Sequence, residues 1–482
     1  MKHYTDTIHV SSETGRLRKV LVHSPDSGLG KVVPSKAQDW LFEDIVHLDT
    51  IRRYEYDYYI KLLLYFLDEE KIKGQLADME APDYHRNFFK PDHPDFYNSQ
   101  HVVELQVLLA DILADTSIKS QLVASVCAIE ACSYDIQREL MSYAPATLAR
   151  IFFSGTPDER EMIFPPIPNF IFTRDIGIVV NDHILLNKPM KEARKREALI
   201  AKYIFYHHPL FAAYHDKVIE LTDTQHHFLL PNDADVERVT LEGGDVMVVS
   251  PNHVLIGVSE RTTREAAAQA VRQLFDRDVV EKATIVKIPH KRDYMHIDTV
   301  FTQVKRNVWV MLGDFSHEQI AGAQTDAIHR ALRIQPQRLD DLEILQFQKN
   351  NLSSPRQFTS LEALLVDVSV ADLGAAPDDV HIILSGNDEF PYDAREQWTD
   401  SCNVLAIQEG VVLGYDRNDK TTEAFRALGF DVVNVADLLA SLESGRVKAD
   451  ELADTLILMP SAELSRARGG FHCMSMPLLR DP

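Results

Sequence analysis

Hydrophobic positions along the chain change period once. From about residue 44 to 155 they recur at steps of three to four. Ile51, Tyr54, Tyr58, Leu62 and Tyr65/Phe66 draw one apolar stripe, which predicts an amphipathic helix packing its aromatic face into a core. Further helices are predicted at roughly 101–115, with Val103, Val107 and Ile112 on one face, and at about 117–140. Pro82, Pro91 and Pro94 interrupt the helical pattern between them.

After residue 165 the pattern shortens to β runs, and a unit of strand, tight turn, strand and helix repeats. One copy opens at Asp175, continues through Ile184–Leu186 and enters a helix at Lys195–Phe205. A second opens at Asp245, turns at Pro251-Asn252, returns through Val254–Ile256 and turns helical near Thr262. A third runs from Asp298 and returns through Val308–Leu312; a fourth runs from Asn403, returns through Val411–Leu413 and has its helix at Thr421–Leu428. Strands are expected after two of these helices, at Thr284–Ile288 and Asp431–Val435. A fainter fifth copy pairs Met474–Leu479 with Leu17–His23, which closes a ring with the two chain ends together. Every copy opens on polar or charged groups: Arg174-Asp175, Glu242 to Asp245, His296 and Asp298, Asn403, and Cys473. In a radial array equivalent positions face one axis, so these residues are expected to share a pocket.

Composition narrows the partners. A net charge of −23 over 482 residues excludes a nucleic-acid binder, which needs a basic face, and suits the attraction of a cationic substrate. At 45% hydrophobic and 26% charged the chain can bury a large core. Four cysteines without CxxC spacing exclude a disulfide framework and a structural zinc site. The start lacks a signal-peptide core, and no apolar run reaches the ~18 residues of a membrane span. A soluble cytoplasmic protein in a reducing compartment is expected, with no membrane partner.

Cys473 is the thiol that opens a repeat, with Arg466, Arg468 and His472 just upstream; nearby cations favour a nucleophilic thiolate. His296 and Asp298 share one face of a strand, as alternating side chains do. That pair fits a metal site, an acid/base unit or a satisfied core histidine. No second metal-style cluster accompanies it, and His207-His208 and His226-His227 have no carboxylate at ligand spacing, so no metal is expected. Glu242-Gly-Gly-Asp245 reads as a tight turn or a close backbone approach, its acids as caps, and it lacks the lysine of a phosphate loop. Several carboxylates around one thiol need a cationic partner, and a planar guanidinium can meet carboxylates on two edges. The residue types therefore point to an arginine-like substrate and thiouronium chemistry.

Leu41–Ile45, Pro168–Asp175, Glu242–Asp245, Met295–Thr302, Arg395–Trp398 and Arg468–Pro477 resemble, in order, the motif series of bacterial arginine deiminases. The resemblance implies an α/β fold, the five-bladed α/β propeller of guanidine-modifying enzymes, with pseudo-fivefold ββαβ repeats. The propeller domain would comprise 1–44 and 156–482, and 45–155 an inserted helical subdomain. It implies hydrolysis of L-arginine to L-citrulline and ammonia without cofactor, by a homo-oligomer (dimer or tetramer). Cys473 would be the nucleophile, Asp175 and Asp298 the grips on the guanidinium, His296 the general acid and base, and Glu242 its tuning partner. Asn169, Arg194, Arg261 and Arg468 would hold the amino-acid end, the arginines facing its carboxylate, and Phe172 would wall the substrate stem.

The chain departs from the family by extra length around 335–375 and between Val435 and Arg466, including Ser441–Asp454, and by Glu43 where Asp is common. The Ser441–Asp454 segment reads as a lid, a partner surface or an extra surface helix. Rival functions are an amidinotransferase, an arginine dihydrolase, or a catalytically silent arginine-binding protein on the same fold.

Overall fold

The computed structural model describes residues 7–25, 27–36, 44–80, 88–157, 162–223, 238–316 and 342–482. Leu41–Glu43 of the first motif, Pro82 and His226-His227 lie outside them.

Alternating β-branched runs broken by short polar turns fold into hairpins, and each helix after a hairpin carries the chain back for a parallel strand. The second repeat illustrates this. Val246–Ser250 and His253–Val258 pair antiparallel across Pro251-Asn252. Arg264–Asp276, N-capped by Thr263, crosses over, and Lys282–Lys287 returns parallel to His253–Val258. Gly177–Val180, His183–Leu186, Lys195–His207 and Val218–Ile219 follow the same order, as do the strands Phe301–Lys305, Val308–Met311 and His381–Leu384. Leu405–Gln408 and Val411–Tyr415 form the fourth hairpin. Met476–Arg480 pairs antiparallel with Leu17–Val22, Leu21 opposite Met476, so the two ends of the chain do meet in one sheet. Its third strand, Val102–Glu104, comes from the segment expected to be all helix, and runs parallel to Leu17–Val22. The described residues thus form an α/β fold of five separate sheets.

Both extra segments build sheet. Glu343–Gln348 and Asn351–Phe358 form a hairpin that extends the second sheet beside Lys282–Lys287 to five strands. Thr455–Met459 slots between Val411–Tyr415 and Asp431–Asn434, parallel to both, and leaves Asp431–Asn434 at the edge. Gln408 donates to the carbonyls of Ala449 and Leu452, so this part of the Ser441–Asp454 segment packs at the end of its strand remote from Asn403. The reading of that segment as a lid is corrected accordingly.

The aromatic stripe needs a correction too. Ile51–Glu55 winds as a π turn, which adds a residue and shifts the helical phase. Tyr54 is 57% exposed, while Tyr56 and Tyr59 in the following helix Tyr56–Leu67 are fully buried. The helix predicted at 117–140 is two, Thr116–Ile129 and Tyr134–Ser142, because Ser133 caps a new start. These helices share their cores with the sheets. Tyr59, Leu62 and Leu63 cluster with Leu405, Phe471 and Cys473, and Leu105, Leu108 and Phe152 with Ile176, Ile184 and Met476. Among the described residues no single helix is long and apolar enough to cross a membrane.

The helix Val435–Glu443 braces this packing. Leu438, Leu439 and Leu442 are buried, and Glu443 accepts from the Tyr65 hydroxyl (2.5 Å) and the amides of Gly74 (3.0 Å) and Leu76 (3.3 Å). Glu443→Ala is expected to cost about 1–3 kcal/mol by orphaning these donors. A lower urea midpoint with unchanged low-denaturant turnover would bear this out; an unchanged midpoint would not.

Candidate active site

The polar residues that open the first strand of each sheet lie on short helical turns, and these turns converge. Asp175 lies in the turn Thr173–Ile176 before Gly177–Val180, Glu242 precedes the turn Gly243–Asp245, and His296 precedes Ile297–Thr299. Asp298 lies in that last turn, and Cys473 lies three residues before Met476–Arg480. All five are at least 95% buried. The Cys473 thiol donates to Asp298 Oδ2 at 3.4 Å. His296 Nε2 is 3.1 Å from Glu242 Oε2, and its Nδ1 is 3.9 Å from Asp175 Oδ1.

Two glycines make this convergence possible. A Cβ on Gly244 would lie 2.5 Å from His296 Nδ1, so the imidazole rests directly on its backbone. A Cβ on Gly243 would lie 2.0 Å from the Arg174 carbonyl oxygen. The Gly-Gly step therefore serves close approach of three chain segments, the second of the two readings of that step.

The segment Arg468–Cys473 is pinned from several sides. Asn403 Oδ1 accepts from the amides of Gly470 (2.9 Å) and Cys473 (3.0 Å), while its Nδ2 donates to the Asp298 carbonyl (3.1 Å). Asp400 accepts from the Gly469 amide (2.8 Å), and the Arg174 amide donates to the Cys473 carbonyl (3.0 Å). His472 bridges Asp298 Oδ2 (2.9 Å) and Glu13 Oε2 (3.2 Å), with Arg174 3.6 Å from the same Glu13 oxygen. Sequence reasoning named Asn403 only as a repeat opener and His472 only as a nearby cation; it missed Glu13, Arg174 as a clamp, and Asp400. Asp400 stands two residues after the Arg395–Trp398 motif, which was its available signal, whereas Glu13 had none.

The expected substrate-binding residues separate into two groups. Asn169 and Phe172 are buried on the turn Pro168–Ile171 and just after it, and the Phe172 ring covers Gly469. Arg261 and Arg468 are buried but keep donors unspent: Arg261 Nε and Arg468 Nε and Nη1 have no hydrogen-bond partner. The Arg468 guanidinium stacks 4.1 Å from the Trp398 ring centroid and lines a cavity of about 440 Å³ with Asp293, Tyr294 and Asp314. Its backbone is held at φ 60°, sparsely populated for a non-glycine residue. Arg194 differs from expectation. Its Nη1 donates to Asp175 Oδ2 (3.0 Å) and Glu242 Oε2 (2.7 Å), and its Nε to Glu197 (2.7 Å). It faces the protein's own carboxylates here, because three buried anions this close need a cation.

On the acidic side, Asp175 Oδ1, Glu242 Oε1 and Asp298 Oδ1 are buried without a partner. Asp175, Glu242 and His296 offer ligand atoms within 4.8 Å of one another. Arg194 fills that concavity with two ion pairs, so a metal would have to displace it. The arrangement suits an incoming planar cation, flanked by a thiol and a histidine.

The family model for arginine deiminase matches residues 152–480, which include each of these side chains except Glu13. The chain belongs to the arginine deiminase family. An arginine deiminase of Latilactobacillus sakei is 30% identical over 484 residues, 99% of both chains. One of Borrelia garinii subsp. bavariensis is 28% identical over 491 residues, the whole of both chains. Among solved structures, SxtG, an amidinotransferase from Microseira wollei in the saxitoxin biosynthetic pathway, matches 98% of both chains at 14% identity and a TM-score of 0.47.

Electrostatics set the resting protonation of this arginine deiminase family site. Burial opposes charge on His296, but Asp175, the hydrogen bond to Glu242 and Asp245 outweigh it and raise its pKa to about 10. Burial pushes Glu242 up, and Arg194, His296 and Arg261 more than reverse this, leaving it well below the carboxylate range. Burial, reinforced by Asp298, Asp175 and Asp400, pushes the Cys473 thiol well above its usual value. At neutral pH the site therefore holds a thiol beside an imidazolium.

Gly244→Ala is expected to displace the His296 ring and lower kcat about 10²-fold with a smaller change in KM; wild-type kinetics in the folded variant would contradict this contact. Glu242→Gln removes an anion that favours imidazolium. The alkaline limb of kcat/KM is expected where His296 loses its proton, near pH 10 in the wild type, and should move down by about one unit or more in the variant; superimposable pH profiles would refute the pairing.

Proposed function

We infer that this chain hydrolyses the guanidinium group of L-arginine, giving L-citrulline and ammonia through a covalent Cys473 thiouronium. The observation that carries this reading is the set of unpartnered oxygens on buried Asp175, Glu242 and Asp298, with the Cys473 thiol on Asp298 and His296 between Glu242 and Asp175. Such acceptors suit a guanidinium, and the unspent donors of buried Arg261 and Arg468 suit a carboxylate.

In this mechanism the substrate guanidinium takes Asp175 and Asp298 and displaces Arg194, whose positive charge occupies the same position. The released Arg194 then joins Arg261 and Arg468 near the substrate carboxylate, while Asn169 and Phe172 bound the stem. The arriving cation favours ionisation of Cys473, which otherwise stays protonated among carboxylates; its proton passes to solvent water, and the hydroxyl proton lost as the ureido group forms restores the thiol at the end of the cycle. The thiolate adds to the guanidinium carbon. His296, already cationic, gives its proton to the departing nitrogen, and ammonia leaves. Neutral His296 then takes a proton from water, the hydroxide adds to the thiouronium carbon, and collapse expels the thiolate and leaves citrulline. Glu242 keeps His296 oriented and stabilises its charged form.

We read the catalytic part, 1–44 and 156–482, as a five-bladed α/β propeller with 45–155 as an inserted helical subdomain; five sheets whose opening turns meet at one site support this. We further propose a cytoplasmic enzyme without nucleic-acid or membrane partners, on the acidic composition and the four free cysteines. Assembly as a dimer or tetramer rests on the family resemblance alone.

Purified protein with saturating arginine should release one ammonia per citrulline, and Cys473→Ala should make none. Ornithine or a transferred guanidino group would favour a dihydrolase or an amidinotransferase, and no product across mildly acidic to neutral pH would favour a silent binding protein. Without arginine, alkylation of Cys473 by iodoacetamide, followed on its own peptide, should stay slow through neutral pH. A thiol already fully reactive at pH 7 would overturn the substrate-driven ionisation.

A further inference from the structure

The motif Arg395–Trp398 takes no part in the chemistry, and packing does not account for its last residue. Trp398 ends the short helix Tyr392–Trp398 and is 50% exposed. It borders two cavities, of about 440 and 500 Å³, so its indole fills no core. What the ring carries is the Arg468 guanidinium, 4.1 Å from its centroid.

The helix behind the indole is held fast. Glu396, 3% exposed, accepts from the amides of Lys420 (2.7 Å) and Thr421 (2.8 Å) and from the Thr421 hydroxyl (2.6 Å), at the start of the helix Asp419–Ala427. Thr399 Oγ1 donates to Asn418 Oδ1 (2.5 Å), and Asn418 Nδ2 donates back to the Thr399 carbonyl (3.2 Å). This stretch reaches the Arg468 region twice. Trp398 stacks on the side chain, and Asp400 accepts from the next amide, that of Gly469 (2.8 Å).

The stack engages one part of the guanidinium and spares another. An aromatic ring takes its face, whereas a carboxylate takes the N–H groups in its plane. Arg468 Nε and Nη1 are buried without a hydrogen-bond partner, and Nη2 makes one long bond, to the Asp293 carbonyl (3.5 Å). Asp400 Oδ1 stands 3.9 Å from Nε, beyond hydrogen-bond reach. A carboxylate bonded closely enough to fix this side chain would consume its fork of donors. The indole fixes it and leaves the fork open, so less rotamer freedom is lost when a carboxylate arrives.

We propose that Trp398 is a positioning residue, whose indole face holds the Arg468 guanidinium with its in-plane donors open to the substrate carboxylate. This rests on the reading of Arg468 as a carboxylate-binding residue and names what readies it. The motif then serves selection of amino-acid substrates, with Glu396 as the anchor of the platform.

The test sets arginine against agmatine, which carries the guanidinium but no carboxylate. Trp398→Leu keeps apolar bulk and lacks a π face. It should raise KM for arginine about 3–30-fold and leave kcat within about twofold, with an unchanged melting temperature. Trp398→Phe should recover most of the loss. In Cys473→Ala protein, where turnover does not intervene, calorimetry should show the preference for arginine over agmatine falling by the same factor in Trp398→Leu. Arg468→Ala should lower that preference at least as far. An equal loss of affinity for both ligands, or Trp398→Leu performing as well as Trp398→Phe, would overturn the proposal. If Arg468→Ala lowers the preference and Trp398→Leu does not, the proposal falls while the carboxylate role of Arg468 stands. If Arg468→Ala keeps the preference, that role falls and takes the proposal with it.

Discussion

The structure depends on how buried charge is neutralised around Cys473. Asp175, Glu242, Asp298, Glu197 and Glu13 lie within a water-poor interior, where an uncompensated carboxylate costs several kcal/mol. Each is answered by an arginine or a histidine: Arg194 at Asp175, Glu242 and Glu197, Arg174 and His472 at Glu13, His472 at Asp298, and His296 at Glu242. Glu13 shows the strength of this pairing. Burial raises its pKa, yet Arg174 and His472 bring it down to about 2. These pairs hold together chain segments distant in sequence, Glu13 to Arg174 and His472 and His472 to Asp298.

The repeat was legible because its signals are local. Runs such as Val246–Ser250 and His253–Val258 alternate around a turn of Pro and Asn, and their capped crossover helix starts where Thr263 permits it. The opening polar residues were legible for the same reason, since each stands at the start of a hairpin. What escaped reading depends on non-local packing. The π turn at Ile51–Glu55 redirects the aromatic stripe without any proline or glycine to mark it. Val102–Glu104 is too short to announce a strand and becomes one only because Leu17–Val22 needs a neighbour. Thr455–Met459 lies in a segment read only as extra length, and its place inside the fourth sheet is a matter of topology.

Within the site, residue types pointed to the chemistry, while the partnering was visible only in three dimensions. Asn403 shows the difference: an amide opening a strand is unremarkable in sequence, yet its two ends join the nucleophile segment to Asp298. Arg194 shows the reverse. Its place near the substrate was expected, and its engagement with Asp175 and Glu242 was not, since a lone arginine in sequence gives no sign of which anion it meets.

That engagement bears on the end of the catalytic cycle. In the proposed mechanism arginine takes the Asp175 position from Arg194, since it brings the same charge and the same fork of donors. Citrulline carries a neutral ureido group and has no comparable claim on the carboxylates. In the proposed mechanism, once hydrolysis removes the charge, Arg194 regains Asp175 and Glu242, and a resident side chain that yields only to a cation drives the product out.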